Sequence, residues 1–207
     1  VAVLTQVLLR ILSTDRLAPG EASSLIGKLG FALCAVFGRI GRTQLRPIND
    51  RACHRHKSLE LNPQLRSCVS WLIKFLQTYI KRSIPTSMQS RPVVVTYSDG
   101  EGDTAGVGVC IFSSKLTRPL AAFTRVPDLI RRPWSRRAGT GAYHDMFLIE
   151  AIGPLILLHN YPAILRGSAW VHYIDNTASQ HALLRGSSSN MSGDHVVGAT
   201  WAPAATL

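Results

Sequence analysis

Three acidic residues stand where a protein can gather carboxylates around a metal ion: Asp99, Glu150 and Asp175. Asp99 and Asp175 each directly follow an apolar run that is typical of a buried strand. Glu150 lies within the apolar sequence FLIEAI, where a charged side chain is rarely placed without a partner. Brought together, the three carboxylates would repel one another and raise one another's pKa values, so their clustering indicates divalent cations between them.

The ligand type and the order of these acids indicate the chemistry. Carboxylate oxygens without His or Cys favour Mg²⁺, with Mn²⁺ as the alternative. Two such ions about 3.5–4 Å apart can activate a water, hold a scissile phosphate and stabilise the leaving oxygen. Each acid also has a purely structural interpretation: Asp99 before Gly100 could be turn chemistry, and Asp175 with Asn176 could cap a helix. The occurrence of all three acids, in this order and on these elements, favours a metal site.

The elements that must position the acids follow from the apolar patterns after residue 91. Strands are predicted at Val93–Ser98, Gly106–Phe112, Pro119–Thr124 and Trp170–Ile174. Helices are predicted from Ala142 to about Leu158, bent or ended by Pro154, from Asn176 to about Leu184, and from near Asp194. This order predicts an α/β fold: a mixed sheet of three antiparallel strands, a helix, a fourth strand parallel to the first, and further helices. Asp99 and Asp175 would then meet at one edge of the sheet.

The run RRPWSRR, Arg131–Arg137, has two interpretations. A tryptophan among cations could grip a nucleic-acid strand by stacking and charge. An exposed loop with Trp134 buried beneath it fits the sequence equally well.

Residues 1–83 are predicted to form a basic, all-α segment, joined by a linker at 84–91 to the domain at 92–207. Helical periodicity and first-turn prolines predict helices at Val1–Leu12, from Pro19 to about Phe37, over Thr43–His56, and from Asn62 to Ile80. The third of these combines an apolar stripe with a cationic stripe that includes Arg42, Arg46 and Arg51. Arginines on one helix face are often only solvated, but these lie in the most basic part of the chain.

The charge distribution indicates a polyanionic partner. The chain of 207 residues has a formal net charge of +11, and residues 1–90 hold 13 Lys and Arg against 4 Asp and Glu. Cations that neutralise phosphates release counterions, so nucleic acid is the predicted partner. No apolar run reaches the roughly 18 residues of a membrane span. The four cysteines have neither zinc-type nor disulfide-type spacing, so a reducing, intracellular location in cytoplasm or nucleus is expected.

Several of these sequences together resemble the ribonuclease H domain of retroelements that encode a reverse transcriptase, in particular the DIRS-like group. YSDGEGDTAGVGVCIF resembles that family's first strand, acidic turn and second strand; MFLIEAIGPLILL resembles its glutamate helix; VHYIDNTASQHALLRGSSS is similar to its strand ending in Asp-Asn and the following helix and loop. Upstream, LIGKLGFALCAVFGRIGRTQLRPINDR and LRSCVSWLIKFL resemble the thumb or connection helices of such elements. The resemblance spans roughly Leu25 to Gly198.

The resemblance implies a function and assigns roles. Asp99, Glu150 and Asp175 take the catalytic, metal-binding roles for two Mg²⁺ ions, and Asn176 joins the arginines as a nucleic-acid-binding residue. The family's fourth acid follows a fifth strand, which this chain does not reach; Asp194 could be offered in its place, but its position fits a helix cap better. The chain is expected to be part of a larger polyprotein, with the nuclease domain truncated at its C-terminus.

The leading hypothesis is a metal-dependent endonuclease that hydrolyses the RNA strand of RNA–DNA hybrids. The alternative is a catalytically inactive nucleic-acid-binding module of the same fold. An integrase or transposase core is a weaker hypothesis, since those enzymes take their glutamate from a helix after the second strand-end aspartate, whereas Glu150 precedes Asp175.

Overall fold

The computed structural model of the protein describes residues 2–34, 39–53, 58–78, 90–138 and 143–204. The chain divides into two compact units, Val1–Ile84 and Pro85–Leu207. Most of the predicted linker, residues 84–89, lies outside the described residues.

The first unit is all-helical over its described residues. Its helices are α1 (Ala2–Thr14), α2 (Pro19–Cys34), α3 (Arg46–Cys53), which follows a 3₁₀ turn at Thr43–Leu45, and α4 (Pro63–Thr78). Helices α2 and α4 begin at the predicted prolines, and the Leu65 backbone N–H donates to Asn62 Oδ1 at 2.8 Å, as expected of an N-cap. The predicted C-terminal ends of the last three helices fall at 35–38, 54–57 and 79–80, outside the described residues.

A single apolar cluster joins the helices of the first unit. It draws on all four of them, and its largest fully buried side chains are Leu8, Ile11, Leu17, Leu29, Ile48, Leu65, Val69 and Leu72. Apolar area removed from water at about 25 cal/mol per Å² is the main stabilising contribution to such a bundle.

Arg51 lies inside this unit, and the prediction that it contacts nucleic acid is therefore wrong. Its side chain is 3% exposed. Its guanidinium donates to three backbone carbonyl oxygens, those of Leu17 at 3.4 Å, Ser58 at 2.6 Å and Glu60 at 2.7 Å. The arginine thus ties the chain before α2 to the chain before α4, and its charge is directed at peptide groups.

The second unit contains the predicted mixed sheet. Its strands are β1 (Val93–Glu101), β2 (Gly106–Ser113), β3 (Leu120–Arg125) and β4 (Ala169–Ile174). Their order in the sheet is β3-β2-β1-β4, with β1–β2 and β2–β3 antiparallel and β1–β4 parallel. The predicted α/β class, three antiparallel strands and a parallel fourth strand are confirmed.

Helices cover one face of this sheet. They are α5 (Asp128–Ala138), α6 (Tyr143–Ala151), α7 (Gly153–Asn160), α8 (Pro162–Leu165), α9 (Thr177–Arg185) and α10 (Met191–Ala204). Helices α6 and α7 pack on β1 and β2, and α10 packs on α6 and α7. Alternate residues of β1 face this core, so Val94, Thr96 and Ser98 are buried while Tyr97 and Asp99 are exposed.

The prediction for Pro154 is confirmed, whereas the run RRPWSRR is not the loop that one interpretation of the sequence proposed. Pro154 ends the predicted long helix as expected: α6 stops at Ala151 and α7 begins at Gly153. Pro154 lies in the first turn of α7, where its missing N–H removes no hydrogen bond within that helix. The run RRPWSRR, in contrast, belongs to helix α5 and not to a loop. Trp134 is 7% exposed and joins the core of the second unit, so this ring is not a stacking surface for nucleic acid.

Within the described residues, no helix combines the length and the apolar character needed to cross a lipid bilayer.

Candidate metal centre

The second unit brings Asp99, Glu150 and Asp175 together. Each residue offers a carboxylate oxygen, and these three oxygens all lie within 4.8 Å of one another. The parallel pairing of β1 with β4 runs as far as Ser98 opposite Ile174, and the residue that follows each of these partners along the chain is one of the two aspartates. Glu150 reaches the same point from α6, which crosses the covered face of the sheet.

Asp99 lies within β1, and the prediction that it ends the strand is wrong. Strand β1 continues to Glu101, with Asp99 opposite Gly108 and Glu101 opposite Gly106 on β2. What ends before Asp99 is the pairing with β4. The backbone of Asp99 is therefore held by the antiparallel ladder on one side, while its other side opens toward Asp175.

Asp175 and Asn176 divide two tasks that the sequence left open. Asn176 is the N-cap of α9, and its Oδ1 accepts a hydrogen bond from the Ser179 backbone N–H at 3.0 Å. The cap therefore does not use Asp175, whose carboxylate lies in the acidic cluster. The observed role of Asn176 is helix capping, and contact with nucleic acid stays a prediction for this residue.

Glu150 is the buried member of the cluster. Its side chain is 2% exposed, and its Oε2 has no hydrogen-bond partner among the described residues. Burial, reinforced by the negative charges of Asp175 and Asp99, raises the pKa of Glu150 to about 7, against a hydrogen bond from the Gly100 backbone that favours the ionised form. An unsatisfied buried oxygen costs about 1–3 kcal/mol, which a bound cation would remove.

Gly100 permits the close approach of α6. A Cβ at this position would lie 2.9 Å from Ile149 Cγ2 and 3.2 Å from the carboxyl carbon of Glu150. No local pattern around Gly100 predicts this contact, because the helix that requires it is about fifty positions further along the chain. Gly108, opposite Asp99, leaves more room, since a Cβ there would meet its nearest neighbour at 3.9 Å.

The two aspartates face a groove on the uncovered side of the sheet. The groove has a volume of about 770 Å³ and is lined by small residues of β2 and β3 and by the rings of Tyr97, Phe123 and Tyr173. Tyr97 and Tyr173 stack with their ring centroids 5.0 Å apart. Asp99 and Asp175 lie two residues beyond these tyrosines on the same face of the sheet, so the carboxylates are accessible from solvent while Glu150 is not.

The predicted cationic residues of the first unit are not equivalent. Arg42 is exposed and Arg46 is half-buried, whereas Arg51 is internal. Their contact with nucleic acid stays a prediction for the first two only.

Asp194 does not belong to the acidic cluster formed by the described residues. It is 4% exposed in the first turn of α10, and its Oδ1 accepts a hydrogen bond from the Ser188 backbone N–H at 2.6 Å. This contact ties the serine-rich loop to the start of the helix. The prediction that Asp194 caps the helix is wrong, because α10 begins at Met191 and the capping side chain is that of Asn190, whose Oδ1 accepts a hydrogen bond from the Gly193 backbone N–H at 2.7 Å. The adjacent His195 is exposed.

A polar group beneath the cluster was missed in the sequence. His172 of β4 faces the covered side of the sheet, between Thr96 and Ser98 of β1. The signal was present: Thr96 and Ser98 alternate with Tyr97, and His172 alternates with Tyr173, so period-two patterning places all three polar side chains on one face.

No protein-family profile, curated protein or solved structure matches the chain. The function is therefore inferred from the chemistry of the cluster itself. Three carboxylates, two accessible and one buried with an unsatisfied oxygen, form a hard-oxygen donor set at a rigid sheet edge.

Proposed function

We propose that the protein is a metal-dependent endonuclease that hydrolyses the RNA strand of RNA–DNA hybrids as part of a retroelement reverse transcriptase. The observation that carries the proposal is the convergence of Asp99, Glu150 and Asp175 from three separate elements to within 4.8 Å. The choice of substrate comes from the resemblance of the sequence around these acids to ribonuclease H domains of DIRS-like retroelements.

The donor set fits Mg²⁺, with Mn²⁺ as a substitute. All three ligand groups are carboxylates, and the buried Glu150 oxygen lacks any other partner among the described residues. Bound as a pair, these ions would supply Lewis-acid activation of a water and neutralisation of the leaving oxygen.

The fold holds the three carboxylates in place, and one of them, Glu150, also carries a proton that metal binding would displace. Asp99 is fixed by its pairing in β1–β2, and Asp175 directly follows the last paired residue of β4. Glu150, whose pKa is near 7, releases its proton when it becomes a ligand. Its burial keeps water away from one side of the cluster, whereas the groove beside Asp99 and Asp175 leaves the other side open to a phosphodiester backbone.

The charge of the chain supports a nucleic-acid substrate. The formal net charge is +11, and most of the excess lies in the first unit, where Arg42 is exposed. Selection of RNA would require contacts to 2′-hydroxyls, the group that distinguishes RNA from DNA.

The test is cleavage of a hybrid labelled on its RNA strand, in Mg²⁺, by the wild type and by Asp99→Asn and Glu150→Gln. We expect cleavage by the wild type and a loss of at least about 100-fold in each variant, as is usual when electrostatic groups of an active site are removed. The matched control is Asp128→Asn, which removes an exposed carboxylate elsewhere in the second unit. Equal cleavage by all four proteins would contradict the proposal.

The second candidate is a catalytically inactive nucleic-acid-binding module of the same fold. The observation that favours it is the number of acids: the cluster formed by the described residues holds three, whereas the resemblance implies four. This candidate predicts hybrid binding that is unchanged by Asp99→Asn and no cleavage by the wild type at any Mg²⁺ or Mn²⁺ concentration.

A further inference from the structure

A chain of side-chain hydrogen bonds links β4 to β1 just below the acidic cluster. Trp170 Nε1 donates to Thr96 Oγ1 at 2.7 Å, and that oxygen lies 2.8 Å from His172 Nδ1. The other ring nitrogen, His172 Nε2, lies 3.1 Å from Ser98 Oγ. One imidazole therefore spans two successive inward-facing residues of the neighbouring strand.

The donors and acceptors of this chain can be assigned. The indole N–H only donates, so Thr96 Oγ1 accepts from Trp170 and has its own hydrogen to donate. The nearest acceptor for that hydrogen is His172 Nδ1 at 2.8 Å, since the Val171 carbonyl oxygen is 3.5 Å away. The ring then carries its proton on Nε2 and donates to Ser98. Burial lowers the pKa of His172 to about 4, which keeps the ring neutral near pH 7.

These hydrogen bonds join β1 and β4, the strand pair whose register sets the distance between Asp99 and Asp175. In the described sheet β4 is an edge strand and pairs only with β1. A slip of β4 by two residues would keep its alternation of inward and outward side chains, so the apolar pattern does not oppose it. Such a slip moves Asp175 by about 6.6 Å along the strand. That distance exceeds the 4.8 Å within which the three ligand oxygens now lie.

We infer that His172 is a positioning residue, whose two hydrogen bonds to Thr96 and Ser98 fix the register of β4 on β1 and so hold Asp175 beside Asp99. In either slipped register the imidazole loses one of its two partners, because Val94 or Gly100 replaces a hydroxyl residue. A fully satisfied buried network therefore selects one pairing among several with similar backbone bonds. The consequence for metal binding rests on the proposed function, whereas the register itself does not.

Metal affinity gives the first test, with Mn²⁺ as the probe and paramagnetic resonance of free Mn²⁺ as the readout. His172→Leu removes both hydrogen bonds and is expected to weaken Mn²⁺ binding about 10–100-fold, the usual effect of losing a group that orients metal ligands. His172→Gln is the matched control, because its amide can accept from Thr96 and donate to Ser98; we expect its affinity within about 3-fold of the wild type. Unfolding midpoints identify loss of fold. If His172→Leu does not fold, Ser98→Ala removes one bond and should give an intermediate loss of affinity.

The register of β4 on β1 is measured independently of metal binding, by disulfide trapping with diamide. Val95 and Val171 are partners on the uncovered face, so Val95→Cys with Val171→Cys reports the native pairing. Val95→Cys with Tyr173→Cys, or with Ala169→Cys, reports a two-residue slip in either direction.

The outcomes separate this inference from the proposed function. With His172 present we expect the native crosslink alone, and with His172→Leu we expect a slipped crosslink in addition. Only the native crosslink in the Leu variant, with Mn²⁺ affinity unchanged, would show that His172 merely fills the core and would overturn the inference. A wild type that binds no Mn²⁺ would refute the proposed metal site, while the crosslinks would still decide the role of His172.

Discussion

The carboxylate of Glu150 accepts a hydrogen bond from the backbone of Gly100, and a Cβ added at position 100 would lie only 3.2 Å from the carboxyl carbon of Glu150. The buried ligand and the strand that carries Asp99 are thus in direct contact. Any change in that contact changes both the packing of α6 and the position of a ligand.

Gly100→Ala is expected to reduce stability and metal affinity together. The new methyl group would also meet Ile149 at 2.9 Å, so α6 must shift, at a cost of about 1–3 kcal/mol for overpacking. Urea unfolding and Mn²⁺ titration measure the two effects. Gly108→Ala on the facing strand is the control, since its Cβ has 3.9 Å of clearance. Equal stability of the two alanine variants would mean that α6 tolerates the methyl group.

The pH dependence of stability should carry the signature of Glu150. Its pKa is raised from 4.5 to about 7 in the folded protein, so the folded state binds more protons than the unfolded chain between these values. The contribution of Glu150 to the free energy of unfolding is therefore fully present below about pH 4.5 and is lost as pH rises through 7. The loss is on the order of 3 kcal/mol in the absence of divalent ions. Glu150→Gln should remove this loss and be the more stable protein at pH 8.

The comparison of wild type with Glu150→Gln also isolates Glu150 from His172, which acts in the opposite direction. The pKa of His172 is lowered from 6.5 to about 4, so its contribution to stability is lost as pH falls through that window. Both proteins share this acid limb. A wild type and a Gln variant with parallel stability curves from pH 4 to 8 would mean that Glu150 titrates normally.

Divalent ions should stabilise the protein, and more strongly at pH 8 than at pH 5.5. At the lower pH a proton on Glu150 competes with the ion. An excess of Mg²⁺ or Mn²⁺ one hundred times the Kd corresponds to about 2.7 kcal/mol, measurable as a rise in Tm. Asp99→Asn and Asp175→Asn should abolish the rise, and the exposed Asp128→Asn should retain it. A pH-independent rise shared by all variants would indicate ion binding elsewhere.

Two arginines of the first unit should behave oppositely on substitution. Arg51→Leu removes three hydrogen bonds to carbonyl oxygens and is expected to destabilise the unit by about 2–4 kcal/mol. Arg42→Ala, at an exposed position, should cost less stability than Arg51→Leu does. It should instead weaken hybrid binding and reduce the salt slope by about one. An unchanged salt slope would remove Arg42 from the nucleic-acid surface.

The sheet and its acids could be predicted because their signals are local. Apolar runs directly before Asp99 and Asp175 identify β1 and β4, although β1 continues past Asp99 to Glu101. The order of elements identifies the parallel pair that brings the two acids together. Proline and asparagine give the start of α4 in the same local way, since Asn62 caps it through a bond to a backbone three residues away.

The features that sequence reasoning missed depend on distant partners. The burial of Arg51 requires carbonyl oxygens from Leu17, Ser58 and Glu60, and no local pattern states that these will meet. Helix α5 carries Pro133 in its interior, which argues locally against a helix, whereas Trp134 next to it is buried in the core of the second unit.

Asp175 and Asn176 are adjacent in the chain, yet one contributes to the acidic cluster and the other starts a helix. Asparagine and aspartate are about equally good helix caps, so a protein with the two letters exchanged would keep its composition, its charge and the start of α9. It would nevertheless lose a carboxylate from the cluster. The order of one dipeptide thus separates a chain that folds and can hold an ion from a chain that only folds.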